Sequence, residues 1–256
     1  MKTTISQISN FLNEIFPLEK AELWDKSGFS FYFNNIVSKI IICIDLTPDI
    51  LTRALQQKVN LIITHHPFLF YKTKKENYQF SPYKKTMVKV INQAKISVFS
   101  LHTNYDSSNH ATARTILSSL DLQVSSTQAI DDYNLLVNTN IKFLELVSKV
   151  KNTLNLKHLQ TNLQKNLTIK KLAILPGSAG IEAVLLAKKH KADLVITSDL
   201  KWSDQLAFVY KKVNVLLVSH LIEQFFVFDI KAKLEQSFKN SFEIKIELLE
   251  EILYNL

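Results

Sequence analysis

The sequence predicts an α/β protein built as two similar lobes with mixed sheets, and three observations predict it. Apolar runs of strand length alternate with stretches of helical periodicity along the whole chain, the pattern of strand–helix–strand units. Three of those runs stop abruptly in polar, ligand-capable groups, the place where open α/β sheets bind ligands. The composition, 46% hydrophobic and 21% charged over 256 residues, is enough for one large or two small cores.

The elements follow in order. Residues 4–16 place Ile5, Ile8, Leu12, Ile15 and Phe16 on one helical face, and Pro17 ends the pattern. A loop, Ala21 to Gly28, carries Asp25 beside Trp24. Residues 36–46 read as a strand, Thr47 as an N-cap with Pro48 at the first helical position, and a helix follows to about Lys58. The next strand runs into Thr64-His65-His66-Pro67. These two strands should be parallel with a right-handed crossover. Neighbouring side chains of a strand point to opposite faces, so two histidines share a site only where the strand is ending. Pro67 enforces that ending, because it cannot continue a ladder. Residues 68–80 are aromatic and basic and are expected to be a loop, the one stretch positioned to shape a substrate pocket. A helix from Ser81-Pro82 to about Gln93 leads to the strand Ile96 to Leu101, which ends in His102-Thr103-Asn104-Tyr105-Asp106. Asn109 should cap a helix reaching Leu120.

Residues 121–130 are polar and are expected to separate a first lobe, about 1–122, from a second, about 128–256. The second half gives strands near 132–138 and 156–163 around a helix near 141–154, then a strand Lys171 to Leu175. The turn Pro176 to Gly180 and a helix to His190 follow. The strand Ala192 to Ile196 runs into Thr197-Ser198-Asp199, and a helix near 203–212 precedes the strand Val213 to Val218, which ends at Ser219-His220. A helix from about Leu221 to Phe238 and a strand Phe242 to Leu248 close the pattern.

Composition narrows the function classes. No apolar run reaches the roughly 18 residues that span a membrane, and the first residues have no signal-peptide apolar core. The one cysteine, Cys43, lies in a strand-like run, so there is no disulfide framework and a reduced, cytoplasmic compartment is expected. The net charge of +8 is spread over short basic groups. It permits nucleic-acid binding without a basic helix or RNA-binding signature to support it. His110, His158 and His190 sit among polar or helical residues and read as surface.

The three strand ends bring His65 and His66, His102 and Asp106, and His220 and Glu223. Imidazole with carboxylate and no thiolate suits a divalent transition metal rather than a structural zinc knot. Several such ligands can hold two ions, with a carboxylate bridging.

These motifs make the resemblance specific. Trp24-Asp25 with Gly28, Asp45-Leu46-Thr47-Pro48, Ile62-Ile63-Thr64-His65-His66-Pro67, His102-Thr103-Asn104-Tyr105-Asp106, Gly177-Ser178-Ala179-Gly180, Ile196-Thr197-Ser198-Asp199 and Ser219-His220 resemble the Nif-three-like dinuclear-metal family. Its bacterial members include GTP cyclohydrolase 1 type 2 homologues. The likeness covers nearly the whole chain and is to the short form, without the domain inserted in longer members. It implies two divalent ions (Zn, Mn, Fe or Ni) in a site between the lobes at strand carboxyl ends. His65 and His66 would each bind one ion, with Asp106 joining the ion on His66 and His220 the ion on His65. The family's bridging glutamate usually lies four residues after that histidine. Here Gln224 holds that spacing and Glu223 lies at three, and Glu223 is taken as the bridge. His102, Asp45, Asn104 and Asp199 are expected to orient ligands or handle protons. The family's glycine before the last histidine is Ser219, and its Tyr-His after the Gly-Asp motif appears as Trp202-Ser203. The resemblance further implies a ring-like homohexamer. It also implies a metal-dependent hydrolase of a nucleotide or another phosphorylated small molecule, with a non-catalytic metal-binding scaffold and a nucleic-acid-binding ring as alternatives.

Overall fold

The first helix, α1 (Ile5–Ile15), begins at a capping box in which the Thr4 hydroxyl accepts from the Gln7 amide and the Gln7 side chain returns to the Thr4 amide. Its stripe of Ile5, Ile8 and Leu12 is buried. Then come β1 (Gly28–Phe31), β2 (Lys39–Cys43), α2 (Pro48–Gln56), β3 (Leu61–Thr64), α3 (Lys74–Phe80), α4 (Lys84–Ala94), β4 (Ser97–Ser100) and the short α5 (Thr103–Ser107). There follow α6 (Ala111–Ser119), β5 (Val124–Ala129), β6 (Leu135–Lys142), α7 (Phe143–Thr153), β7 (Gln160–Thr161), β8 (Thr168–Ile174), α8 (Gly180–Lys189), β9 (Leu194–Thr197), α9 (Trp202–Tyr210) and β10 (Val215–Leu217). A 3-10 turn, His220–Gln224, precedes α10 (Phe225–Phe238) and β11 (Glu243–Glu247). The computed structural model describes residues 2–153, 159–239 and 241–252. His158 and the opening of the strand expected at 156–163 lie outside them.

The chain forms two units. One joins the first 108 residues to Phe226–Leu249, and the other takes Asn109–Phe225 and the residues from Glu250 on. The sequence expectation divides the chain near residues 122–128 and leaves everything after that in one lobe. The structure divides it at Ser108 and returns α10 and β11 to the first unit, because β11 pairs in parallel with β2 from Glu243↔Lys39 to Glu247↔Cys43. The polar stretch 121–130 is no linker. Val124–Ala129 is a strand exposed along its whole length and paired antiparallel with β6, so its polarity marks a solvated sheet edge.

The first unit's sheet has the order β1-β4-β3-β2-β11. All neighbours are parallel except β1, which runs against β4. Both faces are covered, which is why β3 and β4 are buried at every position and β2 is apolar and buried from Ile40 to Cys43. Ile41, Cys43, Ile62 and Val98 pack on Ile50, Leu51, Ala54, Met87 and Ile91 of α2 and α4. Their alternates Ile40, Ile42, Ile63 and Phe99 are equally buried. The burial of Cys43 pushes its thiol up in pKa. The second unit's sheet is β5-β6-β8-β9-β10-β7, with β8, β9 and β10 parallel and the rest antiparallel. Its two faces carry separate apolar clusters, one around Leu135, Leu172 and Leu194 and one around Leu136, Ala173 and Val195.

Three further expectations change, the first being that His110 rather than Asn109 stands at the N-cap of α6, with no side-chain cap hydrogen bond. The 68–80 stretch is half helix: Thr73 caps α3 in a capping box with Glu76. The helix expected from Leu221 starts as a 3-10 turn. Among the aromatic residues of α9, Phe208 is fully buried while Trp202 and Tyr210 are exposed.

Candidate metal-binding sites

In the first unit, the site is built at the carboxyl ends of three adjacent parallel strands. Cys43, Thr64 and Ser100 are in register across β2, β3 and β4. The ladder continues one step further, with the His65 amide donating to the Cys43 carbonyl (3.2 Å), the His66 amide to Ile44 (3.0 Å) and the Leu101 amide to Thr64 (2.9 Å). The histidine backbones are therefore held by sheet hydrogen bonds, although their side chains lie past the last regular residue. Beneath them the buried Thr64 and Ser100 hydroxyls share a hydrogen bond (2.8 Å), and Thr64 Oγ1 lies 2.8 Å from the His66 carbonyl. His65 is fully buried, its ring 5.1 Å from that of Phe226 and 6.1 Å from that of Tyr105. One ligand atom from each of His65, His66 and His102 lies within 4.8 Å of the others.

The acceptors around these rings decide their tautomers. His65 Nδ1 lies 2.9 Å from the Leu101 carbonyl, His66 Nδ1 2.9 Å from Asp45 Oδ2, and His102 Nδ1 2.8 Å from Asp25 Oδ1. Carbonyl and carboxylate oxygens can only accept, so each Nδ1 carries the hydrogen. In the neutral ring Nε2 then keeps its lone pair for an ion. Asp106 stands with its Oδ1 3.7 Å from Nε2 of His65.

Asp25 is the residue that the strand-end reading passed over. Its carboxylate takes hydrogen bonds from His102 Nδ1, the Lys26 amide (2.6 Å), Ser27 Oγ (2.7 Å) and both the amide (3.1 Å) and the hydroxyl (2.5 Å) of Thr103. Burial opposes its ionisation. The hydrogen bond and charge of His102, with the two hydroxyls, outweigh that and hold the group well below the usual carboxylate range. Asn104, expected to orient a ligand, accepts from the His102 amide (3.0 Å), has its Oδ1 2.8 Å from Ser27 Oγ and donates to the Phe16 carbonyl (2.8 Å). It fixes the backbone that carries His102 rather than the ring.

In the second unit the corresponding edge is formed by β8, β9 and β10. The Leu175, Ser198 and Val218 amides extend the ladder to Ile196, Gly177 and Thr197. Asp199 follows β9, and its Oδ2 accepts from His220 Nδ1. His220 Nε2 lies 2.9 Å from Glu223 Oε2, and Glu223 is only 5% exposed. The 3-10 geometry explains that contact. With three residues per turn, side chains at i and i+3 eclipse one another. A glutamate at spacing three meets the histidine here as one at spacing four would on an α-helix. Gln224, also buried, takes the next direction round the turn. Gly177 completes the arrangement: its φ is +59°, and a Cβ there would stand 2.6 Å from Glu223 Oε1. A neutral Nε2 and a carboxylate oxygen at 2.9 Å repel each other, and a proton or a cation held by both makes that approach favourable. The residues of both units thus fit a divalent metal.

Comparison with known proteins finds relatives over most of the chain. Residues 3–252 match the model of Duf34/NIF3 (NGG1p interacting factor 3). A "GTP cyclohydrolase 1 type 2 homolog" of Mycoplasmopsis pulmonis is 29% identical over 249 residues, 96% of this chain and 98% of that one. A "GTP cyclohydrolase 1 type 2" of Helicobacter pylori is 30% identical over 217 residues, 84% of this chain and 83% of that one. In fold, the chain is similar to a Staphylococcus aureus hypothetical protein (TM-score 0.86, 19% identity, all of both chains). It is also similar to reduced HcgD of Methanocaldococcus jannaschii (TM-score 0.81, 21% identity, 97% of this chain and 98% of that one). No helix among the described residues is long and apolar enough to cross a membrane. The family match over nearly the full length, the relatives and the histidine-rich strand ends converge: the chain belongs to the Duf34/NIF3 family.

Proposed function

We propose that this chain binds two divalent metal ions through His65, His66, Asp106, His220 and Glu223 and is a metal-dependent hydrolase. The observation that carries the reading is that four histidines at strand ends each commit Nδ1 to an acceptor. That is how proteins fix a metal-binding imidazole and raise its basicity. A bound divalent ion supplies Lewis acidity and brings the pKa of a coordinated water toward neutrality. The chain's own residues do the rest. Asp45, Asp25 and Asp199 hold the rings of His66, His102 and His220 in one tautomer, and His102 Nε2 is placed to accept or return a proton. The relatives' names make a nucleotide or another phosphorylated small molecule the substrate to test. A non-catalytic, self-assembling metal scaffold is the second reading. It is favoured by the exposed Trp202, Leu206, Val209 and Tyr210 on α9, apolar residues at helical spacing.

Metal content per chain, measured on untagged protein prepared without chelator, tests the proposal. The parent and Gln224→Glu should hold about two ions and Glu223→Gln clearly fewer, since a neutral amide is a poor bridge between cations. Failure of the parent to take up Zn, Mn or Fe overturns the site. Full metal content with no turnover of nucleotides or phosphoesters selects the scaffold.

A further inference from the structure

Beside the histidines of the first unit stands a set of rings that metal binding does not use. Trp24 and Phe70 lie 5.9 Å apart, centroid to centroid, and their rings are 5.9 and 6.2 Å from that of His102. The three rings meet at steep angles of 58° to 76°, so they form an open corner rather than a stack. Trp24 is 53% exposed and Phe70 41%. Large aromatic side chains left in water beside a polar site cost hydration free energy that a ligand ring can recover. The series continues outward from Phe70 to Tyr71 (5.9 Å) and from Tyr71 to Phe80 (4.9 Å). Exposed Lys72, Lys74 and Lys75 follow Tyr71 directly in the chain.

The segment is built, not loose. Asn77, 1% exposed, donates to the carbonyls of Tyr71 (3.0 Å) and Thr73 (2.7 Å) and accepts from the Tyr71 amide (3.2 Å). Lys84 Nζ donates to the Phe68 carbonyl (2.8 Å) and sits over the Phe68 ring. Both ends of the short span carrying Phe70 are therefore fastened, which lowers the ordering cost of binding.

We infer that Trp24 and Phe70 form a stacking subsite for the flat ring of a nucleobase, lying against His102, with Lys72, Lys74 and Lys75 taking the phosphate. The ligand class is a nucleotide, either free or as the end of a short single strand. Aromatic faces that tolerate any base, flanked by cations, are what such ligands require. The inference rests on the proposed hydrolase only for the metal beside the ring. It places the base, not just the phosphate, next to the histidines.

The test uses Trp24 as its own reporter. In Trp202→Phe, Trp24 is the one remaining tryptophan. Guanosine 5′-monophosphate should quench its emission, and ribose 5-phosphate should bind about tenfold more weakly or less. Phe70→Ala should weaken the nucleotide about tenfold and Phe70→Tyr should restore it. Neutralising the three lysines should weaken it several-fold and flatten its salt dependence. An oligonucleotide that binds more tightly through Phe80 identifies a strand as the ligand, and equal affinities identify the free nucleotide; both support the subsite. Equal binding of ribose 5-phosphate and the nucleotide, or nucleotide binding indifferent to Phe70→Ala, overturns it. Metal content is measured in parallel and should be unchanged in Trp24→Ala. A metal-replete protein without quenching sinks the stacking subsite alone, whereas a metal-free parent sinks the proposed function.

Discussion

The two units place histidines at equivalent positions, past the ends of parallel strands, but fix them differently. In the first unit the rings are held from a sheet. His65 and His66 carry ladder hydrogen bonds, one ring is anchored on a backbone carbonyl, and Asp25 gathers five donors under another. In the second unit the pair His220 and Glu223 depends on one turn of 3-10 helix, an Asp199 that is largely in water and a glycine with positive φ. A sheet edge makes a site robust to side-chain change, whereas a turn makes it depend on single residues. Substitutions can break or sharpen that contrast.

The largest effect is expected at Asp25. Asp25→Asn keeps the shape but turns an amide NH2 toward groups that now donate to the carboxylate, of which only the Ser27 and Thr103 hydroxyls can turn to accept. Hydrogen bonds to a buried charge are the strong ones, so urea unfolding should report a loss of about 3 kcal/mol. The pH dependence has a definite sign. A carboxyl held below its usual range contributes fully above the unfolded value, about pH 4, and loses that contribution as pH falls toward its lowered one. The gap between Asp25→Asn and the parent should therefore narrow in acid. A loss under about 0.5 kcal/mol at neutral pH would mean that the first unit's site is not held from beneath.

Next comes Gly177, with Gly180 as its control. Both have positive φ, but a Cβ at Gly180 meets nothing within 4 Å, while one at Gly177 meets the Glu223 carboxylate. Each alanine should cost about 1 kcal/mol in backbone strain. Gly177→Ala alone should also displace Glu223 and lower the metal content. Equal metal content in the two variants would show that Glu223 can reach His220 from another rotamer, and the second unit would be less dependent on its turn than the geometry indicates.

Much of this was legible in the sequence because strand ends are punctuated there. The apolar run into His65-His66-Pro67 and the run into His102 needed only the period of a strand and a proline. The contact of Glu223 with His220 was not legible in the sequence: a helical wheel treats spacings three and four alike, and only the 3-10 turn separates Glu223 from Gln224. Asp25 was legible as a motif residue beside Trp24 but not as the partner of His102, because it follows no strand and its hydrogen bonds come from His102 and Thr103, 77 and 78 residues away in the chain. The return of β11 to the first sheet was hidden for a similar reason. The exposed Glu243 and half-buried Lys245 on this edge give no sign of which unit they join, and parallel pairing with β2 across some two hundred residues leaves no local trace. The solvated strand 124–129 looked like a linker because an edge open on both faces has a linker's composition.

The smallest change in stability, and the finest test of the contrast, lies in the two carboxylates that steer rings from solvent. The side chain of Asp45 is 49% exposed and that of Asp199 57%. Asp45→Asn and Asp199→Asn should each change stability by under about 0.5 kcal/mol, since exposed pairs contribute little. Their effects on metal affinity should differ. An orienting carboxylate is commonly worth about tenfold or more. In the first unit, however, the backbone still fixes His65 when Asp45 is lost, because no side-chain substitution removes the Leu101 carbonyl. In the second unit Asp199 steers the histidine that Glu223 must meet. Competition with a chromogenic chelator should therefore show a loss of about tenfold for Asp199→Asn and a smaller one for Asp45→Asn. The reverse order would place the dominant ligand on His66 and make the turn, not the sheet edge, the more forgiving support.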